Sequence, residues 1–224
     1  MKYLYLNGDS FCGDGIEEGE TYGELLADKY NLDIERDWWG GSSNHRIYRK
    51  TVNYIMGNQR SCPEVLQDTL FLIGWTKISR FEFYNSFDNK YIQLGHTNFY
   101  DFSGVPTHFP YPNTRFWKEY IKLFVDIKQM KREYIQMVFS LQSILQNYNC
   151  NYLFYNSFND SVISQTDEII DFKRWIKPRS SFDKYLNNFS REDVRMEIDD
   201  HPNELGHLKW FEVISSEIDS RSMI

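Results

Sequence analysis

Residue types that can share one proton stand at the two ends of this 224-residue chain. Ser10 follows a hydrophobic run in Leu6-Asn7-Gly8-Asp9-Ser10-Phe11, and the far end carries Asp199-Asp200-His201-Pro202-Asn203-Glu204-Leu205-Gly206-His207. A serine hydroxyl becomes a competent nucleophile when an imidazole takes its proton, and a carboxylate must hold that imidazole in the right tautomer. Side chains two apart in an extended segment share a face, so Asp199 is preferred over Asp200 as partner to His201. Charge developing on a substrate oxygen needs fixed donors. The backbone N–H groups of Ser10 and Gly41 are candidates, helped by the positive end of the helix expected after Gly41.

The surrounding pattern supplies elements to hold these groups. Tyr3 to Leu6 reads as a short buried strand stopped by Asn7-Gly8-Asp9, and helical spacing at Tyr22, Leu25, Leu26 and Tyr30 predicts a helix over 19–30. A second strand is expected from Leu32 to Trp38. The serines of Gly40-Gly41-Ser42-Ser43-Asn44 can cap a helix through Ile47, Val52 and Ile55. Thr69 to Ile73 is the clearest buried strand, ending in Gly74-Trp75-Thr76. Residues 77–114 are rich in aromatics and prolines and read as an insertion, part hairpin and part loop. An amphipathic helix pattern runs from Phe116 to Leu145. A strand follows at Tyr152 to Tyr155, then a looser stretch over 156–198 with a short helix near 166–176. The last helix shows Trp210, Val213, Ile214 and Ile218 on one face. Strands alternating with helices predict an α/β sandwich of three layers (α/β/α) with a mostly parallel sheet, whose reactive groups gather at the carboxyl ends of strands. Ser10, Gly41 and Thr76 all follow predicted strands.

Composition bounds the function classes. At this length, 41% hydrophobic and 17% aromatic residues can fill one core, so a single domain over 1–224 is expected. A net charge of −7 without a basic stripe argues against nucleic acid or an anionic membrane as partner. Met130-Lys131-Arg132 is read as a solvated helix face. Cys12, Cys62 and Cys150 give neither a disulfide framework nor CxxC spacing, and Cys12 is read as a packed thiol. The N-terminal apolar run is too short for a signal peptide and nothing approaches a membrane span, so a cytoplasmic setting is expected, with a viral particle as the other candidate. His96 and His108 lack metal-ligand spacing, and no nucleotide-binding glycine pattern occurs; neither metal nor cofactor is expected.

The motifs together resemble the SGNH/GDSL-type hydrolases, a family of flavodoxin-like esterases, lipases and carbohydrate deacetylases. Gly8-Asp9-Ser10 matches the first block, Gly40-Gly41-Ser42-Ser43-Asn44 loosely the second, and Asp199-Asp200-His201-Pro202 the last. The resemblance implies Ser10 as nucleophile, His201 as base, Asp199 as orienting acid and Gly41 as an oxyanion donor. Two departures stand out. The family's Gly-x-Asn block is replaced by Gly74-Trp75-Thr76, so that Thr76, Arg80 or Asn44 would have to supply the missing donor. Many members place the acid three residues before the histidine, where this chain has Ile198. Loss of one oxyanion donor typically costs about two to three orders of magnitude in rate. Gly-Trp-Thr followed by Arg80-Phe81-Glu82 resembles a divergent subgroup of bacterial and phage proteins.

Triad chemistry and the resemblance together imply an esterase acting on a small O-acyl ester. An acylated carbohydrate is favoured because aromatic rings such as those of 77–117 pack on sugar faces. Two other readings use the same scaffold: a catalytically weak or inactive binding or structural protein, for example phage-associated, and an O-acyltransferase with a sugar hydroxyl as acceptor.

Overall fold

Alternation of side chains along three short apolar runs builds the centre of the molecule. In the computed structural model, residues 1–94, 123 and 126–224 are described, apart from 14, 18, 87, 88, 160–162, 164–168, 198 and 199. Strands β1 (Tyr3–Asn7), β2 (Asp33–Arg36), β3 (Thr69–Trp75) and β6 (Asn151–Asn156) form a parallel sheet in the order β2-β1-β3-β6. Every residue of β3 is buried, as a strand covered on both faces requires. β2 is mostly exposed and carries Asp33, Glu35 and Arg36, the polar dress of an edge strand.

Leu4, Leu6, Leu70, Leu72, Leu153 and Tyr155 point to one face. They pack there with α1 (Tyr22–Tyr30) through Tyr22 and Leu26, and with α7 (Glu204–Ser220) through Trp210, Ile214 and Ile218. The intervening residues Tyr5, Phe71, Ile73, Tyr152 and Phe154 point to the opposite face. There they meet Ile47 and Ile55 of α2 (Asn44–Ser61), and Val138, Leu141 and Leu145 of α4 (Ile127–Asn147). Helices thus cover the sheet on both sides, and the α/β/α expectation holds.

Helix starts fall where side chains can take the free backbone N–H groups. Thr21 caps α1 in a reciprocal box with Glu24, which moves the start from the expected 19 to 22. Ser43 caps α2 as foreseen, and Asn203 caps α7. The fourth helix begins at Ile127, and the part of its predicted pattern over 116–122, with 124 and 125, lies outside the described residues. Among the described residues of 156–198 the chain forms a turn of 3-10 helix at Phe172–Arg174 and the short helices α5 (Phe182–Leu186) and α6 (Arg191–Val194), while 166–168 of the helix expected near 166–176 lie outside the described residues. A further short helix, α3 (Pro63–Gln67), precedes β3. No helix among the described residues is long and apolar enough to cross a membrane. Lys131 and Arg132 are exposed on α4.

The hairpin half of the expected insertion is present as antiparallel β4 (Phe81–Asn85) and β5 (Lys90–Leu94). It is fastened to α2 by Arg49, whose guanidinium donates to both oxygens of Glu82 (2.9 and 3.0 Å) and lies 3.7 Å from the centre of the Tyr91 ring. Such two-pronged pairs fix direction as well as distance. The rest of the insertion, 95–114 with His96 and His108, lies outside the described residues, as do Phe87 and Asp199.

Candidate active site

The turn after β1 is shaped by a buried carboxylate. Asp9 is fully buried and accepts a hydrogen bond from the Phe11 N–H (3.1 Å), capping a single 3-10 turn over Ser10–Cys12. Its other oxygen accepts from the Thr76 hydroxyl (2.5 Å) and from Arg80 Nη1 (2.8 Å), and that same nitrogen also donates to Thr76 Oγ1 (2.6 Å). A buried carboxylate demands such partners, since desolvation without pairing is costly. Ser10, the first residue of the turn, is 4% exposed.

Asn44, at the start of α2, ties in the second loop. Its amide oxygen accepts the Thr76 N–H (2.9 Å) and its amide nitrogen donates to the Thr76 carbonyl (3.1 Å). The loop carrying Gly41 lies against the first strand through Asp37 N–H to Leu6 O (2.9 Å) and Trp39 N–H to Gly8 O (3.4 Å). Gly41 turns with φ of 75°, in the left-handed region where a glycine is least strained. The loops after β1, β2 and β3 therefore converge at one edge of the sheet. Thr76, Asn44 and Arg80, any one of which was a candidate for the missing oxyanion donor, are hydrogen-bonded to Asp9 and to one another. The Thr76 hydroxyl proton is committed to the carboxylate. Arg80 Nε, buried, has no hydrogen-bond partner among the described residues.

His201 reaches this edge from the other end of the chain. Its ring centre lies 5.8 Å from that of Phe11, the residue after Ser10. The loop bearing it is closed by Met196 N–H to His201 O (2.9 Å), by a bridge between Arg195 and Pro202, and by Arg195 Nη1 to Asp200 O (2.6 Å). The Asp200 carboxylate is exposed and turned to Arg191 (2.9 Å). His207 is wholly buried: Nδ1 accepts the Tyr22 N–H (3.3 Å), the two rings stack, and burial lowers its pKa to about 4. It is a packing residue. Cys12 is likewise a core thiol, pushed up to about 12 chiefly by burial, and held between the hydroxyls of Tyr22 (3.1 Å) and Tyr155 (3.4 Å). It is no nucleophile at neutral pH.

One residue carried no signal in the sequence. Phe158, just beyond β6, packs edge-on against Phe11 (4.5 Å) and lies beneath Lys77 (4.5 Å) and Arg80 (5.1 Å). Only its position after a strand end could have marked it. Among the described residues, no three His, Cys, Asp or Glu side chains gather as a metal ion would need.

The sequence model of a family of unknown function (DUF6071) matches residues 12–188. The chain belongs to DUF6071. Gly41, Asn44, Thr76 and Arg80 fall inside the matched span of this DUF6071 member, and Ser10 and His201 outside it. A comparison with curated proteins finds no match. Among solved structures, the acetyl xylan esterase Est2A from the rumen bacterium Butyrivibrio proteoclasticus is similar, with a TM-score of 0.50 and 11% identity over 98% of this chain. The chain spans 64% of that protein, and at such identity the likeness is one of fold.

Proposed function

We propose that this protein is a serine esterase of SGNH type that hydrolyses a small O-acyl ester, with an O-acetyl group on a carbohydrate as the favoured substrate. The contact between the Phe11 and His201 rings carries this reading, because it draws the two ends of the chain together at the carboxyl edge of the sheet. The fold shared with an acetyl xylan esterase supports it.

In the proposed reaction His201 takes the Ser10 proton as the hydroxyl attacks the ester carbonyl, and Asp199 holds the imidazole. The oxyanion of the tetrahedral intermediate is met by the backbone N–H groups of Ser10 and Gly41. The imidazolium then protonates the departing alcohol, and water repeats the cycle on the acyl-enzyme. Thr76, Arg80 and Asn44 serve this chemistry by holding the turn and loop that present those N–H groups. With no side-chain amide in the oxyanion hole, turnover should be about a hundredfold or more below that of an enzyme having one.

That shortfall is also what favours the second reading, a binding protein on the same scaffold. A fluorophosphonate probe separates the two. Labelling of the wild type and not of Ser10→Ala, with loss of ester turnover in both Ser10→Ala and His201→Ala and unchanged circular dichroism, is the expected result. Unlabelled wild type favours the binder; wild-type turnover in either variant removes the assigned site.

A further inference from the structure

Beyond β6 the chain builds a concave surface whose charge runs against that of the whole. A cavity of about 430 Å³ is lined by Lys177, Arg179, Ser180, Lys184, Tyr185 and Asn188, together with Pro178. The size falls within the range of small-molecule sites, roughly 300–1,000 Å³. Among the described residues that line it, three are cationic and none is a carboxylate, on a chain whose net charge is −7. The acid nearest in sequence, Asp183, faces Arg195 (3.0 Å) and lines a separate cavity with Arg191 and Asp200, so it does not line this one.

The backbone beneath the cations is fixed. Ser180 N–H donates to Lys177 O (2.9 Å), closing a turn, and Asn156 at the end of β6 donates to Ser180 O (3.1 Å). Ser181 caps α5 through the Lys184 N–H (3.0 Å), and Asp183 N–H is bound to Ser157 O (3.0 Å). Lys177 itself sits at φ of 44°. A lysine in the left-handed region costs of order 1 kcal/mol or more, and such outliers persist where the surroundings over-determine them, often at ligand sites. Its ammonium lies 5.5 Å from the centre of the Tyr185 ring, which places a cation above an aromatic wall.

We infer that this cavity binds an anionic group, a carboxylate or a phosphate, carried by a small molecule. Lys177 and Lys184 would supply charge-assisted hydrogen bonds, with the Asn188 amide and Ser180 hydroxyl completing the contacts. The inference stands apart from the esterase reading, because it needs neither Ser10 nor His201.

The test is an amide-resonance titration of the full chain, at low ionic strength, with inorganic phosphate, glucuronate and neutral glucose in separate arms. Saturable shifts confined to residues 177–188 with one or both anions, and none with glucose, are expected; which anion binds tighter identifies the source of the charge. Lys184→Gln, at an exposed helical position that leaves the Ser181 cap intact, and the double variant with Lys177→Gln should each weaken binding, by about tenfold per charge removed. Failure of both anions to shift these resonances, equal shifts with glucose, or unchanged affinity in a folded Lys184→Gln would overturn the inference.

Discussion

Asp9 and Arg80 lie far apart in sequence and meet in the dry interior below Ser10, where each cancels the other's charge. Removing one member of such a pair leaves an uncompensated buried ion, a loss of about 3–5 kcal/mol. Arg80→Met should therefore lower stability to urea by that order. Arg80→Met combined with Asp9→Asn should recover a large part of it, because no stranded carboxylate remains; equal loss in the single and double variants would refute the pairing. That Ser10 follows β1, that the Gly41 loop follows β2 and that His201 precedes the last helix was legible from residue type and order. The ion pair was not. Arg80 looked like a substrate donor because nothing local shows that the aspartate of Gly-Asp-Ser would be buried facing it. Phe158 was equally hidden, since its neighbours Phe11 and Arg80 come from other loops.

Among elements, the central strands and long helices were readable from apolar runs and apolar stripes. β3 is a continuous apolar run, and α2 and α4 show one apolar stripe each. The hairpin over 81–94 was foreseen only loosely, for aromatics recur there without a period. Its attachment to α2 depends on a lysine-or-arginine choice no pattern fixes: only the planar fork of Arg49 fits both oxygens of Glu82 while lying over Tyr91. Glu82→Gln should loosen the hairpin, seen as faster amide exchange across β4 and β5 with little change in α1 or α7. Arg49→Lys should do the same, since a point charge cannot keep the two-pronged geometry. At the start of α1, Thr21→Ala removes the hydroxyl that caps the Glu24 N–H, leaving only the backbone half of the box, and should cost about 1 kcal/mol in thermal or urea unfolding. A loss near zero would mean that packing of Tyr22 and Leu26 alone sets that helix start.

For the whole molecule, the joint between the first and last helices sets a response to acid. His207 on α7 is buried against Tyr22 on α1, accepts its N–H at Nδ1, and is held neutral with a pKa of about 4 against an ordinary 6.5, burial being the main cause. The nearby Glu24 works in the opposite sense and His201 in the same one. Between pH 6.5 and 4 the unfolded chain binds a proton at this site and the folded chain does not. Stability therefore rises with pH through that window and is lost as pH falls, by at most about 1.4 kcal/mol per unit from this residue. Urea midpoints measured from about pH 7 down to about pH 4.5 should show a steeper decline for the wild type than for His207→Gln, which keeps an acceptor for Tyr22 and cannot take up the proton. Because α1 comes after the Ser10 turn and α7 after the His201 loop, opening this joint would part the two halves of the proposed site. The proposed ester turnover should accordingly show, on acidification, a slowly reversed loss that tracks the His207 window. Identical acid-decline curves for wild type and His207→Gln would show that the joint does not govern acid stability.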